Sequence, residues 1–206
     1  MPTKFYAIVD GDTEEPVEDS QAVNRHVWDV YHIENYLLEP ELIAHVVRTI
    51  DPSRSDDSNS VRSALEAAAR NVVPSVLIHR IRSSTNSKLV RAINLGFSPS
   101  TLTVAHDLHE AISRSMTRMQ AEIATGLSEP SLLVAEQALR VEIEASFADG
   151  TWIKKLPGRD ILKQYVSSQQ IAIGYEIFRN LIVGRMVEVG FKPVGMKEII
   201  DKVAAN

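Results

Sequence analysis

Helical periodicity governs most of this chain, from about residue 40 to the C-terminus. It is clearest over 101–125, where apolar residues recur every three or four positions and predict a helix with one apolar face. These residues are Leu102, Ala105, Leu108, Ile112, Met116, Met119 and Ile123. Further helices are predicted to start at Glu39-Pro40 and to cover 59–82, 129–147 and 168–189, with a kink or break at Pro74. We therefore expect a mostly helical chain.

Two short segments near the N-terminus favour extended structure instead. Residues 5–9 (FYAIV) are apolar, aromatic and β-branched, which is typical of a buried strand, and 27–32 (VWDVYH) favour a second strand. Because two strands alone are rarely stable, we expect the rest of their sheet near 151–154 or upstream of residue 1. The predicted fold class is α/β and mostly helical, with a small partial parallel sheet at the N-terminus followed by a helical bundle.

Composition excludes several classes of protein. The 206 residues include no cysteine, so there is no disulfide framework and no Cys-based zinc site. With no signal region and no apolar run of membrane-spanning length, the sequence is expected to be cytoplasmic. The net charge of −5 is unevenly placed, since 10–19 carries only acids while 67–105 carries basic residues and no acid. The acidic segment would bind cations and the basic segment would bind anions. The alternative is that each is an ordinary solvated surface, which has the same composition.

Three acids form the strongest candidate site. Asp10 and Asp12 end the first predicted strand and point to the same side of it, where their carboxylates repel. Glu34 follows the second predicted strand and would join them if the strands are neighbours. Carboxylate oxygens are the ligands that Mg²⁺ or Mn²⁺ prefers, so we predict a divalent-cation site at Asp10, Asp12 and Glu34. The alternatives are a simple Asp-Gly turn and, for Glu34, a helix N-terminal charge or a partner for Arg25.

Basic residues near position 160 form a second candidate site. Lys154, Lys155, Arg159 and Lys163 surround Pro157-Gly158, where a helix is predicted to start. A helix N-terminus offers unpaired backbone N–H groups, which together with these charges would bind phosphate. The alternative is that these side chains are ordinary solvated residues.

Both ends of the chain resemble a known family. The strand with Asp-x-Asp at 5–12, the string YHIENYLLEP (31–40) and the string LPGRDIL (156–162) resemble the C-terminal part of Toprim-type domains joined to AAA/ABC-class ATPases. The nucleases of the OLD (overcoming lysogenization defect) family are examples. The middle of the chain is similar only in being helical.

The resemblance implies a magnesium-dependent nuclease that cleaves nucleic-acid phosphodiesters in a defence-type protein. Asp10, Asp12, Glu34 and Arg159 would be its catalytic residues, and an upstream or separate ATPase its partner. The chain departs from the family pattern twice. An upstream catalytic Glu is missing, which suggests a fragment, and Arg159 stands where a Lys is frequent.

The same resemblance divides the chain into three parts and leaves two alternatives. Residues 1–50 would be a partial Toprim-like portion, 51–150 a helical insertion or bundle, and 151–206 a helical portion that packs back on the sheet. One alternative is a non-catalytic oligomerisation or partner-binding domain, because the helices at 101–125 and 129–147 carry many Ala residues and the first also carries Met116 and Met119. The other, a haloacid-dehalogenase-type phosphatase, is disfavoured by Glu14, which stands where Thr or Val is expected. The chain has no P-loop.

Overall fold

A computed structural model describes residues 7–11, 25–96 and 104–205. Within these residues it contains two strands, one 3₁₀ helix (Ile33–Leu37) and eight α-helices, which confirms a mostly helical α/β chain with a small parallel sheet at the N-terminus. The strands are β1 (Ala7–Val9) and β2 (Arg25–Val27). The helices are α1 (Pro40–Ile50), α2 (Ser58–Ala92), α3 (Val104–Ala124), α4 (Glu129–Ala148), α5 (Trp152–Lys155), α6 (Gly158–Ser168), α7 (Tyr175–Glu188) and α8 (Val194–Ala205).

The two strands pair in parallel, with Ala7 opposite Arg25 and Val9 opposite Val27. The pairing continues beyond β2, because the N–H of Gly11 donates to the carbonyl of Val30 at 3.1 Å. A Cβ at Gly11 would lie 2.3 Å from that carbonyl oxygen, so this approach requires glycine.

Three details of the predicted sheet are wrong. The first strand is not buried, since Ile8 is 38% exposed. The second strand lies earlier than predicted, at Arg25–Val27, and residues 29–32 form bends. Residues 151–154, where a third strand is expected, lie mostly in α5, where the Trp152 ring is buried and stacks on Phe147 at 5.9 Å. This tertiary contact overrides the strand preference of Trp and Ile.

The chain forms two compact units, which we call unit 1 (residues 1–73 and 146–206) and unit 2 (residues 74–145). In unit 1, helices α1, α6 and α7 and the 3₁₀ helix pack on one another. The Tyr165 and Phe178 rings stack at 6.0 Å in its core. Burial, with the nearby charge of Asp56, raises the pKa of Tyr165 to about 12. Other fully buried side chains of this core are Ile43, Val47, Ile161, Leu162 and Ile182.

Unit 2 consists of the C-terminal part of α2, α3 and most of α4. Pro74 lies inside α2 and does not end it, so the predicted break is absent. The helix predicted at 101–125 is present as α3, but the residues that α3 buries are Ala111 and Ser115. The large apolar side chains of its predicted face are 37% to 52% exposed at Leu108, Ile112, Met116 and Ile123.

Candidate functional site

Asp10 and Glu34 lie on neighbouring segments at the end of the sheet. The Oδ1 of Asp10 accepts a hydrogen bond from the backbone N–H of Ile33 at 3.2 Å, and Ile33 begins the 3₁₀ helix that carries Glu34. Asp12, the third predicted ligand, lies outside the described residues. Over residues 7–11, 25–96 and 104–205, no cluster of three or more His, Asp or Glu side chains has metal-binding geometry.

Glu34 is buried, with 5% of its surface exposed, and its two carboxylate oxygens have different environments. Oε1 accepts hydrogen bonds from Nε and Nη2 of Arg159, both at 2.9 Å. This pairing raises the pKa of Arg159, whose side chain is 49% exposed. Oε2 is buried and has no hydrogen-bond partner among the described residues. An unpaired buried acceptor costs about 1–3 kcal/mol, so this oxygen suits a donor or a cation.

Asn35 attaches the helix that carries Glu34 to the start of α6. Its Oδ1 accepts hydrogen bonds from the N–H of His32 at 2.8 Å and of Gly158 at 3.1 Å. Its Nδ2 donates to the carbonyls of Ile153 and Leu156, both at 2.6 Å. The strings IENYLL and LPGRDIL are therefore in direct contact, through Asn35 with Gly158 and Glu34 with Arg159.

Three basic side chains gather around Tyr175, and we call them the cation cluster: Arg159, Lys163 and Arg179. Lys163 Nζ lies 5.4 Å and Arg179 Cζ 5.9 Å from the centre of the Tyr175 ring. Burial, and then the charge of Glu34, raise the pKa of Tyr175. Arg179 also pairs with Glu176 at 3.0 Å. Arg159 and Lys163 were predicted from the sequence, whereas Arg179 was missed because only the packing of α7 on α6 brings it to them.

Lys154 has a structural partner at another place in unit 1. Its Nζ donates to Oδ2 of Asp29 at 2.7 Å, and the hydroxyl of Tyr36 donates to Oδ1 of the same carboxylate. Burial alone would raise the pKa of Asp29, but these two hydrogen bonds together with the charge of Lys154 outweigh it and lower the pKa. Lys155, also predicted to bind phosphate, is exposed on α5.

A cavity of about 440 Å³ lies beside Glu34 and Arg179 in unit 1. Both of these residues line it, so it adjoins the cation cluster. The rest of its lining is mostly apolar and comes from the 3₁₀ helix, α7, α8 and the segment between α7 and α8. These residues include Leu37, Val183, Met186, Phe191 and Met196.

The predicted basic stretch has its own cleft in unit 2. Lys88 and Arg91 line a cavity of about 400 Å³ together with Arg118 and Glu122. Lys88 Nζ lies 3.9 Å from Glu122 and donates to the carbonyl of Gly126 at 3.2 Å. An acid therefore offsets part of the positive charge at this cleft.

Comparisons of the chain with models of protein families, with curated proteins and with solved structures found no match. Among the described residues, no helix is both long enough and apolar enough to cross a membrane.

Proposed function

We propose that unit 1 binds the phosphates of a nucleic acid and, with a divalent cation, hydrolyses its phosphodiester bonds in the manner of a Toprim-type nuclease. One observation carries this proposal. The segment that holds Asp10 contacts the helix of Glu34, and Glu34 is paired with Arg159 of the cation cluster. Acids suited to a metal therefore lie next to cations suited to a phosphate.

The donor set fits Mg²⁺ or Mn²⁺. Asp10 and Glu34 would hold the ion together with Asp12, and all three offer the carboxylate oxygens that hard cations prefer. The unpartnered Oε2 of Glu34 supports this assignment, because Arg159 occupies only Oε1. When bound, the ion would neutralise charge that develops on the phosphate during cleavage.

The cation cluster supplies the complementary charge for the phosphate. Arginine guanidinium groups match phosphate oxygens in charge and geometry. Nε and Nη2 of Arg159 already donate to Glu34, and those of Arg179 to Asn180, so a phosphate would compete for these donors or use the remaining nitrogen of each group. Arginine stays protonated at any ordinary pH, so Arg159 would hold a phosphate and would not transfer a proton. From the family resemblance we further propose a defence-type protein with an upstream or separate AAA/ABC-class ATPase as its partner, and we keep the cytoplasmic location as an expectation from the sequence.

Calorimetric titration of Mn²⁺ tests the metal assignment without requiring cleavage. We expect binding to the wild type that is lost in Asp10→Asn/Asp12→Asn and in Glu34→Gln. The matched control is Asp201→Asn, since Asp201 pairs with Lys197 on α8 at 2.7 Å. Binding that survives in both variants, or that is absent from the wild type, would overturn the metal site. Single-stranded DNA, duplex DNA and RNA are then incubated with Mg²⁺ and each variant to measure cleavage.

The exposed face of α3 favours a second candidate function, self-association through unit 2. Leu108, Ile112, Met116 and Ile123 follow one another at helical spacing and stay 37% to 52% exposed. We propose that a second copy of this chain covers them. In an antiparallel pairing the acids of the first turns, Asp107 and Glu110, would face the later bases Arg114 and Arg118 of the other copy.

A further inference from the structure

The cavity beside Glu34 has the size and lining of a site for a small ring system. Its volume of about 440 Å³ lies in the range of small-molecule sites, which is about 300–1,000 Å³. Apart from Glu34, Arg179 and Lys192 its lining residues are apolar, and Phe191, which is 37% exposed, supplies an aromatic ring. Met186 and Met196 add flexible, polarisable side chains that adapt to a flat ligand.

The cavity has polar lining residues of both kinds, because Arg179 and Lys192 donate hydrogen bonds and Glu34 accepts them. Glu34 is one of its lining residues, is 5% exposed, and keeps Oε2 without a partner among the described residues. An ionised carboxylate can only accept hydrogen bonds. A ligand with an N–H group on a flat apolar body would satisfy this oxygen. Each nucleobase has such a group, an exocyclic amine or a ring N–H.

The position of the cavity adds a second requirement. Arg179 belongs both to the cavity lining and to the cation cluster, and Glu34 links the cavity to Arg159. A ligand that fills the cavity therefore lies beside Arg179, which belongs to the cation cluster, and beside Lys192. A nucleotide unit has this form, with a flat aromatic base joined through a sugar to a phosphate.

We infer that the cavity accepts one unstacked base of a single-stranded nucleic acid while the cation cluster holds the adjacent phosphate. This inference rests on the proposed nucleic-acid function and adds a base-binding site to it. The base would pack against Phe191 and Met186. In the metal-free protein its N–H would donate to Oε2 of Glu34, the oxygen that the proposed cation takes when it is bound. Stacking of this kind tolerates any base, so the site would select single strands over duplexes without strong sequence preference.

Binding of two labelled strands tests the inference. Fluorescence anisotropy is measured in EDTA, so that no cleavage occurs, with a mixed-sequence single strand and with a wholly abasic strand of the same length and charge. We expect the wild type to bind the strand with bases about tenfold more tightly than the abasic strand. In Val183→Trp the indole fills the cavity. The affinity for the strand with bases should then fall to that for the abasic strand, and the affinity for the abasic strand should stay as in the wild type.

Two further variants separate filling of the cavity from other effects of a tryptophan substitution. Val187→Trp also fills the cavity, and Val187 is 77% exposed, so its substitution disturbs the core less than that of Val183. Val134→Trp, at a residue of α4 that is 71% exposed, is the matched control and should behave as the wild type. Equal wild-type affinities for the two strands, or a preference that survives both cavity variants, would overturn the base site and leave the proposed nucleic-acid function intact. Absence of binding to either strand would overturn both.

Discussion

The Oδ1 of Asn35 accepts a hydrogen bond from the backbone N–H of Gly158 at 3.1 Å, across 123 residues of chain. Asn35 is 3% exposed, and its amide uses both acceptor and both donor positions. The contact leaves no room for a side chain on the other partner, since a Cβ at Gly158 would lie 2.6 Å from the backbone nitrogen of Asn35. This pair therefore fixes Glu34 opposite Arg159.

Loss of the Asn35 side chain should destabilise unit 1. In Asn35→Ala, the carbonyls of Ile153 and Leu156 and the N–H of Gly158 lose their buried partner, at a cost of about 2–4 kcal/mol. Asn35→Asp should be at least as harmful, because a carboxylate cannot donate to two carbonyls. Urea unfolding followed by circular dichroism measures both effects. An unchanged midpoint in Asn35→Ala would contradict this role.

Gly158→Ala provides an independent test of the same contact. The added methyl group meets backbone atoms of Asn35, which cannot move aside as a flexible side chain would. We expect a loss of about 1–3 kcal/mol, the usual range for overpacking. Gly184→Ala is the matched control, because a Cβ there has nothing within 4 Å. Equal stability of the two variants would show that the approach at Gly158 is looser than described.

Glu34→Gln should separate the charge of this residue from its packing. Glutamine can keep the acceptor that Arg159 uses, so the free energy of unfolding should change by less than about 1 kcal/mol. Because one negative charge is removed beside the cation cluster, metal-free affinity for an abasic strand should rise by about two- to fivefold. Glu41→Gln, at an exposed position of α1, is the control. A weaker or unchanged affinity would argue against phosphate binding at the cluster.

Part of this site follows from the sequence because it depends on local rules. Parallel strands present their carboxyl ends at one edge, which is why the segments of Asp10 and Glu34 could be expected to meet. The start of α1 at Pro40 follows equally from the fixed φ of proline. By contrast, Arg179 joins Arg159 and Lys163 only because α7 packs on α6, and no local pattern marks it.

The same limit explains the errors at α3 and α5. The spacing of apolar residues predicted the helix α3 but not which of its sides is buried. The buried side carries the small residues Ala111 and Ser115, and a prediction based on large apolar residues does not detect such a side. At 152–155, Trp and Ile favour a strand locally. The stacking of Trp152 on Phe147 and the hydrogen bond from Asn35 to the carbonyl of Ile153 settle that segment as one helical turn.

Asp29 should make stability depend on pH in the acid range. Its pKa in the folded chain lies below the ordinary 3.8, so its contribution is complete above pH 3.8 and is lost as pH falls through the lowered value. Since its side chain is 38% exposed, we expect less than about 1 kcal/mol. The difference in unfolding free energy between wild type and Asp29→Asn, measured by urea unfolding, should be constant from pH 7 to 5 and shrink toward pH 2. A difference that grows on acidification would contradict this assignment.

The cation cluster should determine how binding depends on salt. Each phosphate contact on a single strand contributes about −0.7 to the slope of log K against log salt concentration. Lys163→Ala and Arg179→Ala should each reduce the slope by about this amount with the abasic strand. Arg185→Ala is the matched control. Arg185 lies on α7 as well and, like Arg179, pairs with a glutamate of that helix, at 2.7 Å to Glu188, but it does not belong to the cluster. Equal slopes of log K against log salt concentration in all three variants would show that the cluster does not bind the phosphates.

Self-association through α3 can be tested separately from the chemistry of unit 1. Ile112 is 41% and Met116 52% exposed, so Ile112→Glu and Met116→Glu add charge to this face without burying it in the single chain. If a second copy covers the face, the wild type should be a dimer by light scattering after size-exclusion chromatography, and each variant a folded monomer with the helical circular-dichroism spectrum of the wild type. Ser113→Glu, at an exposed position beside the face, is the control and should stay dimeric. Because like charges brought together at an apolar contact cost several kcal/mol, even one such substitution should suffice. A wild-type monomer at 100 μM, or a dimer that persists in both variants, would exclude this face as the interface and leave Asp10, Glu34 and the cation cluster unaffected.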